Sequence, residues 1–244
     1  MLLRARAHRL LLAAALLTVL LTTAVLTTLT AYSGAVGDAA LRHALADPRN
    51  AADTALVVKA DVPEEGREKA GRTVREGARD TFGGLPVTVR EMARSGAYSL
   101  PGTLRPPGDR SDDPDLTYFA ALDPAQVRVT EGRLPREGAG GSGSAVEVAL
   151  PTAAAERLDL RPGARLTLAD RFDGPDVVVE VTGLYQPADA AAPYWRLDDL
   201  AGRGVKQGGF TTYGPLLAAP GVPAGGAVSA GPSGWLATAD FSSV

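Results

Sequence analysis

The sequence predicts an α+β chain: one N-terminal transmembrane helix continuing into a stalk, then an exported domain whose last unit is incomplete. Three observations carry this. No charged residue occurs from Leu10 to Tyr32, a helical pattern between two strand patterns fills residues 54–100, and short half-buried strand patterns crowd into residues 128–190.

The apolar run comes first. At about 1.5 Å per residue it makes a helix of about 34 Å, enough to cross a hydrocarbon core of about 30 Å. A cleaved signal peptide usually has an apolar stretch of only about 7 to 15 residues and a small-residue A-x-A site after it. Here the chain continues as "AYSGAVGDAALRHALAD", which has no such site and reads as helix. A retained anchor is therefore the favoured reading, with a long signal peptide as the alternative. Arg4, Arg6 and Arg9 precede the run, and the first acidic residue, Asp38, follows it. The positive-inside bias then places residues 1–9 in the cytoplasm, residues 10–32 across the cell membrane and the remainder outside.

Beyond the span, Val36, Ala40, Leu41, Ala44 and Leu45 repeat at helical spacing while Asp38, Arg42 and His43 take other positions, so residues 33–47 read as a stalk. Gly34 and Gly37 lower helix propensity by about 1 kcal/mol each and are candidate hinge positions. Asp47-Pro48 stops the helix.

In the exported part, "TALVVKAD" alternates Leu56, Val58 and Ala60 with Val57 and Lys59, which predicts a central strand. Asp61 and Glu64 have capping-box spacing, and Ala70, Val74, Ala78 and Phe82 recur at i, i+4, so an amphipathic helix with a narrow apolar stripe follows. Gly83-Gly84 ends it, and "LPVTVREMARSGAYSL" supplies a strand or a bent pair of strands. Residues 101–115 are rich in Pro and Asp without periodicity and read as a surface loop. "LTYFAAL" and "QVRVTEG" are short strands on either side of Asp123-Pro124. The cluster from about residue 128 contains "AVEVAL", the helical turn "PTAAAERLDL", "ARLTLAD" and "DVVVEVTGLYQP", in which Val177, Val179 and Val181 face one way. After a loop-rich passage, "GWLATADFSSV" alternates Trp235, Ala237, Ala239 and Phe241 as a last strand, with nothing after it to cover its apolar face.

Composition excludes several classes of function. The chain has 244 residues, no cysteine and a formal net charge of -3. Disulfides, thiolate metal sites and a Cys nucleophile are out of reach, and no basic stripe or aromatic platform marks a nucleic-acid partner. The two histidines, His8 and His43, fall on opposite sides of the membrane, so no histidine triad or zinc site can form. "EGAGGSGSA" at 137–145 lacks the Lys-Ser/Thr ending of a phosphate loop and reads as a linker. Asp109, Asp112, Asp113 and Asp115 miss the calcium-loop spacing and read as a solvated loop. No G-x-S-x-G occurs, and no set of residues meets the roles of base, nucleophile and oxyanion donor, so the chain is expected to be no enzyme and to hold no cofactor or metal. Tyr194, Trp195 and Trp235 have two readings: they line a cleft for an apolar group or partner, or they fill a seam between subdomains.

The order of these motifs resembles the FtsX-like permeases of ABC transporters, with their MacB-like periplasmic core domain. Beyond the lone span and "EGRLP", the matching positions are Glu147 to Leu150, Ala155 and Leu158, then Leu160, Gly163, Leu166 and Leu168, then Val179, Val181 and Gly183. The resemblance implies a two-lobed exterior domain. A porter-like α/β lobe would occupy residues 48–127 and resume at 233–244, with a small β lobe inserted at 128–190 and a loop-rich return at 191–232. It further implies a permease subunit that couples cytoplasmic ATP hydrolysis to motion of the exterior domain. Its partners would be an ABC ATPase subunit, a second permease subunit in a homo- or heterodimer, and the surrounding membrane lipid. An incomplete porter lobe predicts an exposed apolar strand edge at Trp235 to Phe241. A stand-alone membrane-anchored binding or scaffold module, complete in itself, remains the alternative.

Overall fold

The computed structural model describes residues 2–104, 113–137, 145–172, 174–224 and 226–241. The chain divides into two compact units, Met1–Ala51 with Phe241–Val244, and Ala52–Asp240.

The first unit is built on the helix α1 (Leu2–Ala46), which is unbroken through Gly34 and Gly37. Its segment Leu11–Leu45 is long and apolar enough to cross a membrane. The expected span and stalk are thus one helix. Thr18, Thr22, Thr27, Thr28 and Thr30 each donate their hydroxyl to a carbonyl one turn back. That pairing satisfies these five hydroxyls within the helix, as hydrocarbon requires, where a polar group without a partner is costly. The helix stops where Asp47-Pro48 predicted. The Asn50 side-chain amide donates to the Ala44 carbonyl at 2.8 Å, and the Arg49 N–H donates to Asp47 Oδ1 at 2.9 Å.

The second unit opens with β1 (Leu56–Ala60), α2 (Glu64–Thr81) and β2 (Val87–Ser95). The helix α2 starts one residue after Pro63 with no side-chain cap, so the anticipated capping box does not form. It ends at Gly83 and Gly84, both with positive φ, and the Gly84 N–H donates to the Arg79 carbonyl at 2.8 Å. Short strands follow: β3 (Tyr98–Ser99), β4 (Leu116–Thr117), β5 (Phe119–Ala121) and β6 (Val127–Gly132). Then come β7 (Val146–Pro151), α3 (Thr152–Leu158), β8 (Arg165–Asp170) and β9 (Val177–Pro187). The chain closes with β10 (Val205–Lys206), β11 (Thr212–Tyr213), β12 (Leu216–Ala218), α4 (Gly221–Ala224) and β13 (Ala230–Ala239). The linker expected at 137–145 and the loop carboxylates Asp109 and Asp112 fall, apart from the linker's end residues, outside the described residues.

The strands form one curled sheet path in the order β1-β13-β2-β5-β12-β7-β9-β8-β3-β4-β11-β10, with β6 joined to β9. Two expectations about strand position are overturned here. Among the described residues β1 pairs with β13 alone, so it is an edge strand rather than a central one. Conversely, β13 lies between β1 and β2, antiparallel to both, and is no apolar edge. Ser233 to Ala237 are all buried, whereas β1 is only half-buried apart from the exposed Lys59. Because β1 and β2 each run antiparallel to β13, they run parallel to one another with α2 connecting them. This is a split β-α-β arrangement with β13 inserted in its middle. The strand β12, buried at Leu216, Leu217 and Ala218 between β5 and β7, lies inside the passage read as loop.

Two apolar clusters result. One gathers α3, β7, β8 and β9 around Val148, Leu150, Leu158, Leu168, Val179 and Val181, and the other joins Met92, Tyr185, Tyr194, Trp195, Leu197 and Leu236. Within the first region the backbones of β6 and β9 approach so closely that only glycine fits. A Cβ on Gly183 would lie 2.3 Å from the Arg133 carbonyl oxygen, and one on Gly132 would lie 2.3 Å from that of Thr182. The parallel β7–β9 register sets Glu147 opposite Glu180, and each carboxylate carries its own arginine. Arg133 is bidentate on Glu147, both bonds at 2.6 Å. This fork, joined by the Arg136 N–H, pulls the Glu147 carboxyl down to about 2.

Candidate functional site

The sheet face formed by β1, β13 and β2 is covered on both sides, and that layering decides where the predicted aromatics go. Trp235 and Leu236 are successive residues of β13 and so point to opposite faces. On one face the Trp235 indole lies under α2, where a Cβ on Gly71 would come to 3.5 Å from its Nε1. On the other face Leu236 packs with Tyr194 and Trp195, and Gly234 sits against the Leu197 side chain. All three predicted aromatics are buried. Tyr194 and Trp195 meet edge to face with ring centroids 5.5 Å apart, but Trp235 is on the far side of the sheet, so the three line no common cleft. The Tyr194 hydroxyl accepts the Asp123 N–H at 2.9 Å and burial pushes its pKa up to about 12, so it is neutral at any physiological pH. Trp195 Nε1 donates to the Asp189 carbonyl at 3.0 Å. The hinge candidates Gly34 and Gly37 are helical residues of α1, and an added Cβ at either would meet nothing within 4 Å.

The segment Tyr194 to Gly202 holds a pair of acids that sequence reading passed over, Asp198 and Asp199. Asp198 is buried and takes the Tyr118 hydroxyl, the Leu200 N–H at 3.2 Å and the Gly202 N–H at 2.8 Å. Three donors make a buried carboxylate tolerable where an unpaired one would not be. Burial first, and the Asp198 charge second, raise the Tyr118 pKa well above its ordinary value, which keeps the phenol as a donor. Asp199 is half exposed and bridges Lys59 of β1, at 3.0 Å, to Arg94 of β2. Its pKa is lowered by those two hydrogen-bonded cations, which outweigh the opposing effect of burial. The Arg94 guanidinium carbon sits 4.2 Å above the centroid of the Tyr118 ring, a cation–π contact.

These groups form the wall of a cleft of about 370 Å³ lined by Arg94, Thr117, Tyr118, Asp199 and Lys206, with Leu116, Leu200 and Phe210 as apolar surface. Its polar residues come from β2, β4, β10 and two connecting segments, with Arg94 and Asp199 105 positions apart in the chain. No local motif could announce it. The one legible signal was "RLDDL", two acids set inside an apolar stretch. Among the described residues no three His, Cys, Asp or Glu side chains gather as a metal site.

No protein-family model matches this chain, and no curated protein matches it. Among solved structures, the chain is similar to the crystal structure of a domain of a "putative Permease protein" from Porphyromonas gingivalis, with 11% sequence identity and a TM-score of 0.30. That similarity covers 67% of this chain and 61% of the other, so the chain spans less than two thirds of its length.

Proposed function

We propose that the chain is the N-terminal part of a permease subunit of the FtsX-like class of ABC transporters. In this reading α1 carries motion driven by a partner ATPase on the cytoplasmic side to the exterior domain. The observation that supports it best is the continuity of α1, which runs 45 residues from Leu2 to Ala46 and exceeds what a membrane requires. A hydrogen-bonded helix transmits displacement that a flexible linker would dissipate. The order of the motifs and the split β-α-β unit of β1, α2 and β2 fit the same reading. An ATPase subunit, a second permease subunit and the surrounding lipid are the partners it requires, with the N-terminus in the cytoplasm as Arg4, Arg6 and Arg9 indicate.

The test is Ala40→Pro in the complete permease. Proline breaks the ladder of α1 outside the membrane, so transport that depends on the exterior domain should be lost while ATPase binding and domain folding persist. Unchanged transport would end the coupling proposal.

One observation favours a second reading, an anchored exterior binding or scaffold module. The last strand β13 is paired on both sides instead of standing at an edge. Residues 33–244 that are monomeric and unfold in one cooperative transition would favour this module. Aggregation of the same segment would favour the permease.

A further inference from the structure

The turn that joins β10 to β11 is firmly held at its base and loosely held at its tip. At the base Lys206 is paired with Thr212, the Gly214 N–H donates to the Gly204 carbonyl at 2.9 Å, and the Leu116 N–H donates to the Thr211 carbonyl at 2.8 Å. Between those anchors Gln207, Gly208, Gly209 and Phe210 are all exposed and, among the described residues, enter no hydrogen bond. Backbone left to water in this way opens at little cost. Neither Gly208 nor Gly209 has a positive φ, and a Cβ added at either would meet nothing closer than 3.7 Å. This conformation of the turn therefore does not demand glycine, whereas the freedom of two glycines suits a turn that adopts a second one. One contact ties the tip down. The Arg171 guanidinium carbon lies 5.7 Å from the centroid of the Phe210 ring, and Arg171 is itself anchored, since its N–H donates to the Ala97 carbonyl at 3.2 Å.

Gly208, Gly209 and Phe210 line the same cleft as Arg94, Ala97 and Asp199. Phe210, 40% exposed, has one side toward that cleft and the other toward solvent. We propose that residues 207–210 are a lid on the cleft, hinged at Lys206 and Thr211 and latched by Phe210 on Arg171. The conformation described here is the latched one. Release of Phe210 swings the turn outward about its paired base and opens the cleft lining to solutes. An exposed cation–π contact favours the latched state by only about two- to fivefold, so both states are populated. The inference rests on the second unit alone and stands whether or not the chain serves a transporter.

Because the chain has no cysteine, Ala97→Cys places a single thiol in the cleft lining. The full chain carrying this substitution, in phosphatidylcholine nanodiscs, is reacted with fluorescein maleimide and its labelling rate is followed. Adding Arg171→Ala removes the latch and should raise that rate about threefold. Adding Gly208→Ala together with Gly209→Ala should lower it about threefold, because the latched turn has room for both methyl groups while the open turn loses conformations. Thermal midpoints should agree within about 2 °C across the set, since every added substitution is at an exposed position. A rate left unchanged by Arg171→Ala, or not slowed by the two alanines, would overturn the proposal; the second arm separates a moving lid from the mere loss of a bulky neighbour.

Discussion

In α1, Leu12, Leu16 and Leu20 are 70%, 66% and 58% exposed, whereas Leu150, Leu197 and Leu236 of the domain are 2%, 1% and 2% exposed. The side chains are the same and their surroundings are opposite. Within the domain each leucine is removed from water by a sheet, a helix or the Tyr194–Leu200 segment. Along α1 the exposed leucines and valines lie all round the helix, and the hydroxyls of Thr18, Thr22 and Thr27 between them are internally paired. Such a surface is stable against lipid and unstable against water. The helix α2 shows the contrast on a smaller scale, since its Ala78 is buried while the flanking Arg75, Glu76, Arg79 and Asp80 are exposed.

The comparison can be broken most severely at Trp235. Trp235→Ala leaves a cavity between α2 and the sheet and should destabilise the domain by about 4 kcal/mol. Chemical denaturation of the full chain in detergent measures it, and a loss below about 1 kcal/mol would mean the α2 face contributes little to the core. Next in size is Leu20→Arg in α1, which should cost about 3 kcal/mol of membrane insertion and leave the unfolding of the domain untouched. An insertion assay that scored wild type and variant alike would remove the lipid-facing assignment of α1.

A smaller effect separates the domain's electrostatics from the helix, where no such pair exists among the described residues. The folded Glu147 carboxyl titrates near 2, below its ordinary value of 4.5. A depressed carboxyl stabilises the fold above the unfolded pKa, and that stability is lost as pH falls from about 4.5 through about 2. The Tm advantage of wild type over Glu147→Gln should therefore be full at pH 6 and shrink across this window; an advantage that does not change with pH contradicts the Arg133 assignment. The smallest change is expected for Thr22→Val. Because the Thr22 hydroxyl already donates to the Thr18 carbonyl at 2.8 Å, insertion should shift by less than about 0.5 kcal/mol. A larger loss would show that the hydroxyl serves a neighbour instead.

Much of the fold was legible because its signals are local. Asp47-Pro48 closed α1, Gly83-Gly84 closed α2, and the alternation of Val177, Val179 and Val181 marked the buried face of β9. The strand β12 escaped because its three residues stand between Gly214-Pro215 and Pro220-Gly221, punctuation that reads as loop. The capping box failed for a similar reason. Asp61 and Glu64 have the right spacing, but Pro63 occupies the cap and has no side-chain group to offer. Of the candidate site, the sequence exposed the aromatic residues and not their arrangement. Trp235 was parted from Tyr194 and Trp195 by the two faces of one strand, and the Arg94–Asp199 pair joins segments far apart in the chain.

By itself, the sequence determined the α+β class, the long apolar helix and most element boundaries, since periodicity, turn residues and helix stops act over a few neighbours. Only the tertiary structure decided that β1 is the edge and β13 the interior strand, that Gly132 and Gly183 let two paired backbones approach closely, and that Arg94, Tyr118, Asp199 and Lys206 wall one cleft. A strand's apolar alternation records that it is covered and carries no record of which strand lies beside it. Pairing is settled by contacts between distant segments, which no short window of residues contains.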